Sequence, residues 1–360
     1  MEDNKINVAI LFGGKSAEHE ISLRSAKNVV DAIDKNKYNP ILIGIDQQGR
    51  WSLAQSILES SVTKLANSSA ADEVAMLPQS NGSLSKYGAE NLGDQVDVVF
   101  PILHGPFGED GTMQGLLKLA NVPFVGAGVL GSAVGMDKDI MKKLLRDADL
   151  PIGKFVTARM GENVPSFEEV TKELGNPCFI KPANLGSSVG INRAETEEEY
   201  EAAVKEAFEY DNKIIIEEFI DGREIECAIL GNEDPKASVV GEISFNDSFY
   251  SYDAKYIDED GYRIDIPARI SEGQQAEIQE VAIKTFKVLE CEGFARVDVF
   301  LTKDNRILVN EINTIPGFTK ISMYPKLWEA SGIKYTDLID KLIGLAIDRF
   351  KKEQRIKTTI

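Results

Sequence analysis

Phe294-Ala-Arg-Val-Asp-Val-Phe-Leu-Thr-Lys-Asp-Asn-Arg-Ile-Leu-Val-Asn-Glu-Ile-Asn313 decides how this chain folds. Both halves alternate polar or charged residues with aliphatic ones, the period of a half-buried strand. Between them, Thr302-Lys-Asp-Asn-Arg306 is a polar turn signal, so the stretch reads as a β-hairpin. A turn centred between Asp304 and Asn305 opposes Asp298 to Glu311 and Arg296 to Asn313 on one face. The other face sets Val297 against Ile312, Val299 against Asn310 and Leu301 against Leu308, a mostly apolar side suited to a core. Two carboxylates directly across a ladder repel. A divalent cation reverses that sign, because hard ions such as Mg²⁺ take carboxylate and amide oxygens as ligands. The alternative is a solvated face with accidental spacing; against it stands the motif that follows, Asn313-Thr-Ile-Pro-Gly-Phe318. A metal held by only two or three side chains keeps room for phosphates, which makes the hairpin a candidate phosphate site.

Bulk properties narrow the partners. The 360 residues are enough for two or three domains. A hydrophobic content of 43% and a charged content of 27% describe an ordinary folded chain. The net charge of −18 argues against nucleic acid or an anionic membrane as main partner. It leaves room for a small anionic substrate, since lysines and a metal set the field inside a cleft. Cys178, Cys227 and Cys291 are few, widely spaced and odd in number, which points to buried, reduced thiols in a cytoplasm. The polar start, Met1-Glu-Asp-Asn-Lys-Ile-Asn7, gives no sign of a signal peptide. No apolar run approaches the ~20 residues of a membrane span.

Outward from the hairpin, the chain opens as β-α-β. Asn7-Val-Ala-Ile-Leu-Phe12 is a buried parallel strand running into Gly13-Gly14, followed by a helix to about residue 33 and a strand at 40–45. The G-x-G-x-x-G dinucleotide pattern is missing. Glu18 sits beyond the first strand, where open α/β sheets place ligands; a dipole-favoured surface glutamate is the competing reading. Residues 51–94 read as an irregular excursion. The strand at 96–103 ends in His104-Gly-Pro-Phe-Gly-Glu-Asp-Gly111, whose glycines permit close backbone approach to a ligand. His104 has two open readings, a substrate contact and a structural histidine bonded to a loop carbonyl. A helix to residue 119 and a strand at 123–126 follow.

Lys138 lies on an amphipathic helix at 136–145, as a phosphate contact or a solvated lysine. A second small sheet begins at 155–157, with a helix at 166–174. Cys178-Phe-Ile-Lys-Pro182 runs into Ala183-Asn-Leu-Gly-Ser-Ser-Val-Gly190. A strand ending in Lys181 before a Gly/Ser loop suits a flap that donates backbone N–H groups to phosphates, although it is no Walker A loop; a plain linker is the alternative. Thr196 and Glu199 form a capping box for a helix to about residue 210. The strand at 214–220 ends in acids, with Glu224 after them, placed to accept from an adenine amino group and ribose hydroxyls. Antiparallel strands at 224–230 and 239–245 belong to a third domain. The aromatic loop 249–261 is a lid or binding element, or else a packed surface loop. A helix at 271–289 precedes the hairpin, and one at 335–352 closes the chain.

These motifs, in this order, resemble the D-alanine–D-alanine ligases of the ATP-grasp superfamily. The resemblance rests on Gly13-Gly-Lys-Ser-Ala-Glu18, His104–Gly111, Met136-Asp-Lys138, Lys181-Pro with Gly-Ser-Ser188, Asp253-Ala-Lys-Tyr256 and Glu311-Ile-Asn-Thr-Ile-Pro-Gly317. It covers nearly the whole chain outside the insertion at 51–94. It implies three α/β domains (1–130, 131–217 and 218–360), with ATP gripped between the second and third. Lys138, Lys181 and Lys255 then resemble phosphate-contacting lysines. Glu217, Phe219, Ile220 and Glu224 resemble the adenine and ribose wall, and Asn310 is grouped with the nucleotide contacts. Asp298, Glu311 and Asn313 match ligands of two Mg²⁺ ions, with Mn²⁺ as a substitute. Glu18 matches the acid that binds the ammonium of the first D-alanine, in a hydrogen-bonded set with Ser188 and Tyr256. Arg296 and the Gly317 N–H match the groups that face the developing oxyanion, and Ser322 the hydroxyl that holds the second D-alanine's carboxylate.

The implied activity is ATP-dependent joining of two D-alanines through an acyl phosphate, for peptidoglycan precursors. Tyr256 favours a D-amino acid as second substrate over D-lactate; D-lactate or D-serine ligation is the alternative. A silent nucleotide-binding homologue is the other class, and it predicts a broken metal or oxyanion set, whereas Arg296, Asp298, Glu311, Asn313 and Gly317 are all present. Homodimerisation is implied by analogy with the family alone.

Overall fold

A computed structural model describes residues 5–54, 73–86, 91–187, 189–245 and 262–357. Its first sheet grows from β1 (Ile6–Gly13), joined through α1 (His19–Ala32) to β2 (Tyr38–Ile45). After β3 (Trp51–Leu53), three short strands β4 (Val74–Met76), β5 (Ser83–Lys86) and β6 (Asn91–Gln95) form a small antiparallel sheet of their own. β7 (Val98–Leu103) then returns beside β1, giving the order β3-β2-β1-β7. β1 pairs parallel with both neighbours and is buried from Val8 to Gly13, which is why it reads as an unbroken apolar run.

Residues 51–94, expected to be irregular, thus contain β3 to β6. β4 buries only Val74 and Met76, β5 only Leu84, and β3 leaves Trp51 and Leu53 half-buried, too few for a period to register. The strand expected at 123–126 shrinks to a bridge between Val99 and Phe124. Gly126 turns the chain away at φ +101°, and the Arg349 guanidinium takes the carbonyls of Phe124 and Gly126 in place of a further strand.

Helices α2 (Thr112–Leu119), α3 (Val129–Met136) and α4 (Lys138–Asp147) lead to the central sheet. That sheet holds β8 (Phe155–Arg159), β9 (Cys178–Pro182), β10 (Asn192–Ala194) and β11 (Lys213–Glu218) in the order β10-β9-β11-β8. It is backed by α5 (Phe167–Leu174) and α6 (Glu197–Tyr210). The Thr196/Glu199 capping box forms at α6, and Ser166/Glu169 forms a second at α5. Cys178, Cys227 and Cys291 are all free and buried.

The last sheet runs β14-β13-β12-β15-β16, from β12 (Gly222–Gly231), β13 (Lys236–Phe245), β14 (Tyr262–Asp265), β15 (Gly293–Thr302) and β16 (Ile307–Asn313), with α7 (Glu272–Val288) packed on one face. β15 and β16 are the expected hairpin. Arg296 opposes Asn313, Val297 opposes Ile312 and Asp298 opposes Glu311, as the alternation requires. Nearer the turn the register slips. Val299 opposes Val309 and Leu301 opposes Ile307, not Asn310 and Leu308. Two features cause this: Asn305 takes a left-handed φ of +63°, centring the turn on Asp304, and the Val309 N–H leaves the hairpin to donate to Pro151. Asn310 is the extra residue of the resulting bulge.

Finally α8 (Met323–Ala330) packs on β12 and β13 of the last sheet, and α9 (Tyr335–Glu353) packs on α8 and reaches α1 and β7 of the first sheet. Their core is continuous from Val8, Ile10 and Phe100 to Phe318, Tyr324 and Ile339.

The turn after β1 sets the position of α1. The Gly13 N–H donates to Ser22 Oγ, that hydroxyl donates to the Ile102 carbonyl, and the Gly14 N–H donates to Ile45. Gly13 has φ +92°, and a Cβ there would lie 2.2 Å from the Ile45 carbonyl oxygen. Gly13→Ala should lower stability by more than the ~1–2 kcal/mol of left-handed strain alone, read as the urea unfolding midpoint. An unchanged midpoint would contradict this account of the turn.

Candidate active site

A cavity of about 510 Å³ opens between the first sheet, the Gly/Ser loop after β9 and the last sheet. Glu18 and His104 enter it from the carboxyl ends of β1 and β7. Lys138, Arg296, Glu311 and Asn313 line it from the N-terminus of α4 and from the hairpin. Gly317 and Ser322 close it from the segment after β16. Eight residues expected from scattered motifs therefore share one space.

The hairpin face is a row of acids. Asp298 opposes Glu311 on one side and Glu226 of β12 on the other, so three carboxylates stand abreast across three strands. Arg296 offsets the repulsion. It donates to both oxygens of Asp298 at 2.7 and 2.6 Å, and its Nε lies 3.0 Å from Glu226. Burial works against this guanidinium's charge, but Asp298 and Glu226 outweigh it and hold its pKa well above the usual arginine value. Sequence reading missed Glu226. Its signal was the alternation of Glu224-Ile-Glu226, uninterpretable until β12 is known to lie beside β15.

Among the described residues no group of three His, Cys, Asp or Glu side chains converges on one point. A cation here would rest on the carboxylates of Asp298 and Glu311, on Asn313 and on the ligand's own phosphates. The residues fit that use: Asn313 Oδ1 is buried with no hydrogen-bond partner among the described residues, an acceptor of the kind a hard ion takes.

Lys138 Nζ donates to the Leu185 carbonyl of the Gly/Ser loop at 2.7 Å and lies 3.7 Å from Glu311. Lys181 Nζ sits 2.6 Å from Glu217, which also pairs with Lys142. Burial pushes the Glu217 carboxyl up, yet these two lysines overcome it and drive its pKa below the ordinary carboxylate range. The Glu217 carboxylate thus anchors lysines at a buried site, a use its sequence position did not announce. Lys142 was missed because Lys138 and Lys142 are four residues apart on one helix face, and nothing local ranks them. Glu224 adds to the field at Lys181. Phe219 and Ile220 instead line a second cleft of about 350 Å³, with Glu218 and the hairpin turn. Asn310 occupies the bulge, outside both linings. Ser188, Lys255 and Tyr256 lie outside the described residues, as does the whole of loop 249–261.

His104 realises the structural reading and leaves the other intact. Its Nδ1 bonds the Ile315 carbonyl at 3.0 Å, while Nε2 is buried without a partner among the described residues. Burial pushes its pKa down, so a neutral ring donates from Nδ1 and offers an acceptor at Nε2. Glu109, quoted in the His104–Gly111 motif but given no role, is the other residue missed. A Cβ built on Gly186 would lie 3.6 Å from Glu18 Oε2 and 3.8 Å from Glu109 Oε1. Two carboxyls therefore face the same part of the Gly/Ser loop. Burial, and then the charge of Glu18, raise the Glu109 pKa well above the usual glutamate value.

A carboxyl raised in this way keeps a proton in the folded chain that the unfolded chain has lost. Stability therefore declines as pH rises from the ordinary carboxylate range toward the raised value. Glu109→Gln removes the ionisation, so its urea midpoint should match wild type near ~pH 4 and exceed it near ~pH 8. A difference that does not vary with pH would count against the acid pair.

Comparison with known proteins accords with this geometry. Residues 7–127 match the family model of the D-Ala–D-Ala ligase N-terminus, and residues 144–344 that of its C-terminus. The chain is 54% identical to the D-alanine–D-alanine ligase of Shouchella clausii over 99% of this chain and 98% of that one. It is 50% identical to D-alanine–D-alanine ligase A of Escherichia coli, over 99% and 100% of the two chains. Among solved structures, the D-alanine–D-alanine ligase of Coxiella burnetii superposes with a TM-score of 0.85 at 42% identity, covering 98% of each chain. The VanG D-Ala:D-Ser ligase of Enterococcus faecalis superposes at 0.86 with 38% identity, over 95% of this chain and 100% of that one. With its first sheet, central sheet and acid-bearing last sheet arranged around one cavity, this chain belongs to the D-alanine–D-alanine ligase family and has the ATP-grasp fold.

Proposed function

We propose that the protein joins two D-alanines to D-alanyl-D-alanine, converting ATP to ADP and phosphate, for peptidoglycan precursor synthesis in the cytoplasm. The observation that carries this reading is the shared cavity. It sets an acid at the end of β1, suited to an ammonium, against a hairpin suited to phosphates and a segment suited to an oxyanion. The division at 1–130, 131–217 and 218–360 is supported by the placement of the three main sheets. No helix among the described residues is long and apolar enough to cross a membrane. Homodimerisation is proposed by family analogy.

In the first step the carboxylate of one D-alanine, its ammonium held by Glu18 with Ser188 and Tyr256, attacks the γ-phosphorus of ATP, and ADP leaves. Lys138, Lys181 and Lys255 offset the charge that would repel the incoming carboxylate. Glu217, Phe219, Ile220 and Glu224 are assigned to the adenosine. Asp298, Glu311 and Asn313 are suited to Mg²⁺, with Mn²⁺ as a substitute; two such ions neutralise phosphate charge when bound. In the second step the amine of the other D-alanine, its carboxylate held by Ser322, attacks the acyl carbon. Arg296 and the Gly317 N–H face the oxyanion, phosphate leaves, and the amine gives up its proton. Water must be kept from the acyl phosphate, the role fitted to the Gly/Ser loop and to 249–261.

Phosphate release from ATP with and without D-alanine tests the activity; release indifferent to D-alanine would end the ligase reading. Rates with D-alanine, D-lactate and D-serine as second substrate test the choice attributed to Tyr256, and preference for D-lactate would overturn it. Glu311→Gln should weaken use of Mg²⁺–ATP. Arg296→Ala should spare nucleotide binding and reduce turnover by about 10²–10³, the usual effect of losing one oxyanion donor. Equal losses of ATP affinity in both variants, with chemistry unaffected, would refute this division of labour.

A further inference from the structure

Phe318, immediately after Gly317, is fixed more firmly than any packing argument requires. Its ring is fully buried. It meets Phe100, Phe294 and Tyr335 edge-on at 6.0, 5.8 and 6.1 Å, and Tyr324 at 5.7 Å. Both backbone polar groups of Phe318 are also held by side chains. The N–H donates to Ser25 Oγ at 3.1 Å, and the carbonyl accepts from Asn28 Nδ2 at 3.1 Å and from the Tyr335 hydroxyl at 2.7 Å. Ser25 and Asn28 are three residues apart on α1, hence on one face of it. Glu18 is the N-terminal cap residue of the same helix. One rigid element thus carries the acid facing the first substrate and two of the three clamps on the residue beside Gly317. The remaining space is tight, since a Cβ on Gly317 would lie 2.8 Å from Ser322 Oγ.

We propose that Ser25, Asn28 and Tyr335 are positioning residues for peptide-bond formation, acting through the Phe318 peptide to aim the Gly317 N–H. This rests on the reading of Gly317 as an oxyanion donor. Such a donor acts only if it is already held about 2.7–3.1 Å from where the oxyanion will form. A segment that tilts by a fraction of an ångström loses the second step and keeps the first. Phosphoryl transfer to the first D-alanine is assigned to the lysines and the hairpin, whereas the hydrogen bonds of these three side chains among the described residues go to Phe318. The stalled acyl phosphate would then react with water, its acyl–oxygen bond breaking to return D-alanine and phosphate. ADP would form without dipeptide.

The test measures ADP and dipeptide together in the full-length enzyme with ATP, Mg²⁺ and D-alanine. Asn28→Leu, Tyr335→Phe and Ser25→Ala each remove one polar group. Asn28 lies at the cavity wall, so its variant is expected to fold even if a buried one does not. ADP formed per dipeptide should rise from one to about two or more. The dipeptide rate should fall about tenfold or more, short of the 10²–10³ for deleting a donor outright, with the KM for ATP unchanged. A ratio that stays at one, whether the rates hold or fall in step, overturns the proposal, because a merely structural role lowers both products together. Arg296→Ala separates the two readings. If it abolishes dipeptide while ADP still forms, and the three variants keep a ratio of one, only the clamp is wrong; if it leaves dipeptide formation intact, or loses ADP and dipeptide in step, the oxyanion assignment itself is wrong.

Discussion

The last sheet carries Glu226, Asp298 and Glu311 side by side, and such a row repels itself unless something intervenes. Arg296 intervenes from within the same sheet, bound bidentately to Asp298 and close to Glu226. A buried ion pair of this sort is poor evidence of net stabilisation, but removing one partner is strongly destabilising. Arg296 is thus committed twice, to the sheet's electrostatics and to the reaction assigned to it. Glu311 stands at the end of the row, with Lys138 3.7 Å away, and adds to the field at both Arg296 and Lys181.

The packing divides the molecule unequally. One core runs without interruption from the first sheet through Phe318 to α8 and α9. A second covers the other face of the first sheet, around Leu11, Ile43 and Leu84, a third lies between the last sheet and α7, and the central sheet has a fourth of its own around Ile180, Ile214 and Tyr200. The central sheet meets its surroundings through discrete polar ties. Lys213 of β11 reaches Asp137 and Asp139 at the start of α4. Burying that lysine with two carboxylates fixes the helix that presents Lys138. Elements joined by a shared apolar core move together, whereas elements joined by a few ion pairs and loops have more freedom. The first and last sheets therefore form the platform, and the Gly/Ser loop approaches it from the separately packed part.

Much of this was legible in the sequence because the decisive patterns are local. Alternation placed Arg296, Asp298, Glu311 and Asn313 on one face, and glycine spacing marked the turns after β1 and β7. What escaped depended on neighbours distant in sequence. The bulge at Asn310 exists because Val309 finds Pro151, which no hairpin rule contains. Glu226 became meaningful only beside Asp298, and the tie of Glu217, expected at the nucleotide wall, to Lys142 and Lys181 shows only once the fold brings them together. Glu109 was hidden differently: in a loop rich in glycine and acid, its burial against Glu18 depends on where the Gly/Ser loop comes to rest.

That acid pair links stability to ligand supply. Two carboxyls facing one loop make folding less favourable, and under the proposed function the ammonium of the first D-alanine would lift that penalty. A ligand that binds only the folded chain adds RT ln(1 + [L]/Kd) to its stability. On that reading the folded fraction, and with it exposure to proteolysis, would follow the supply of the amine.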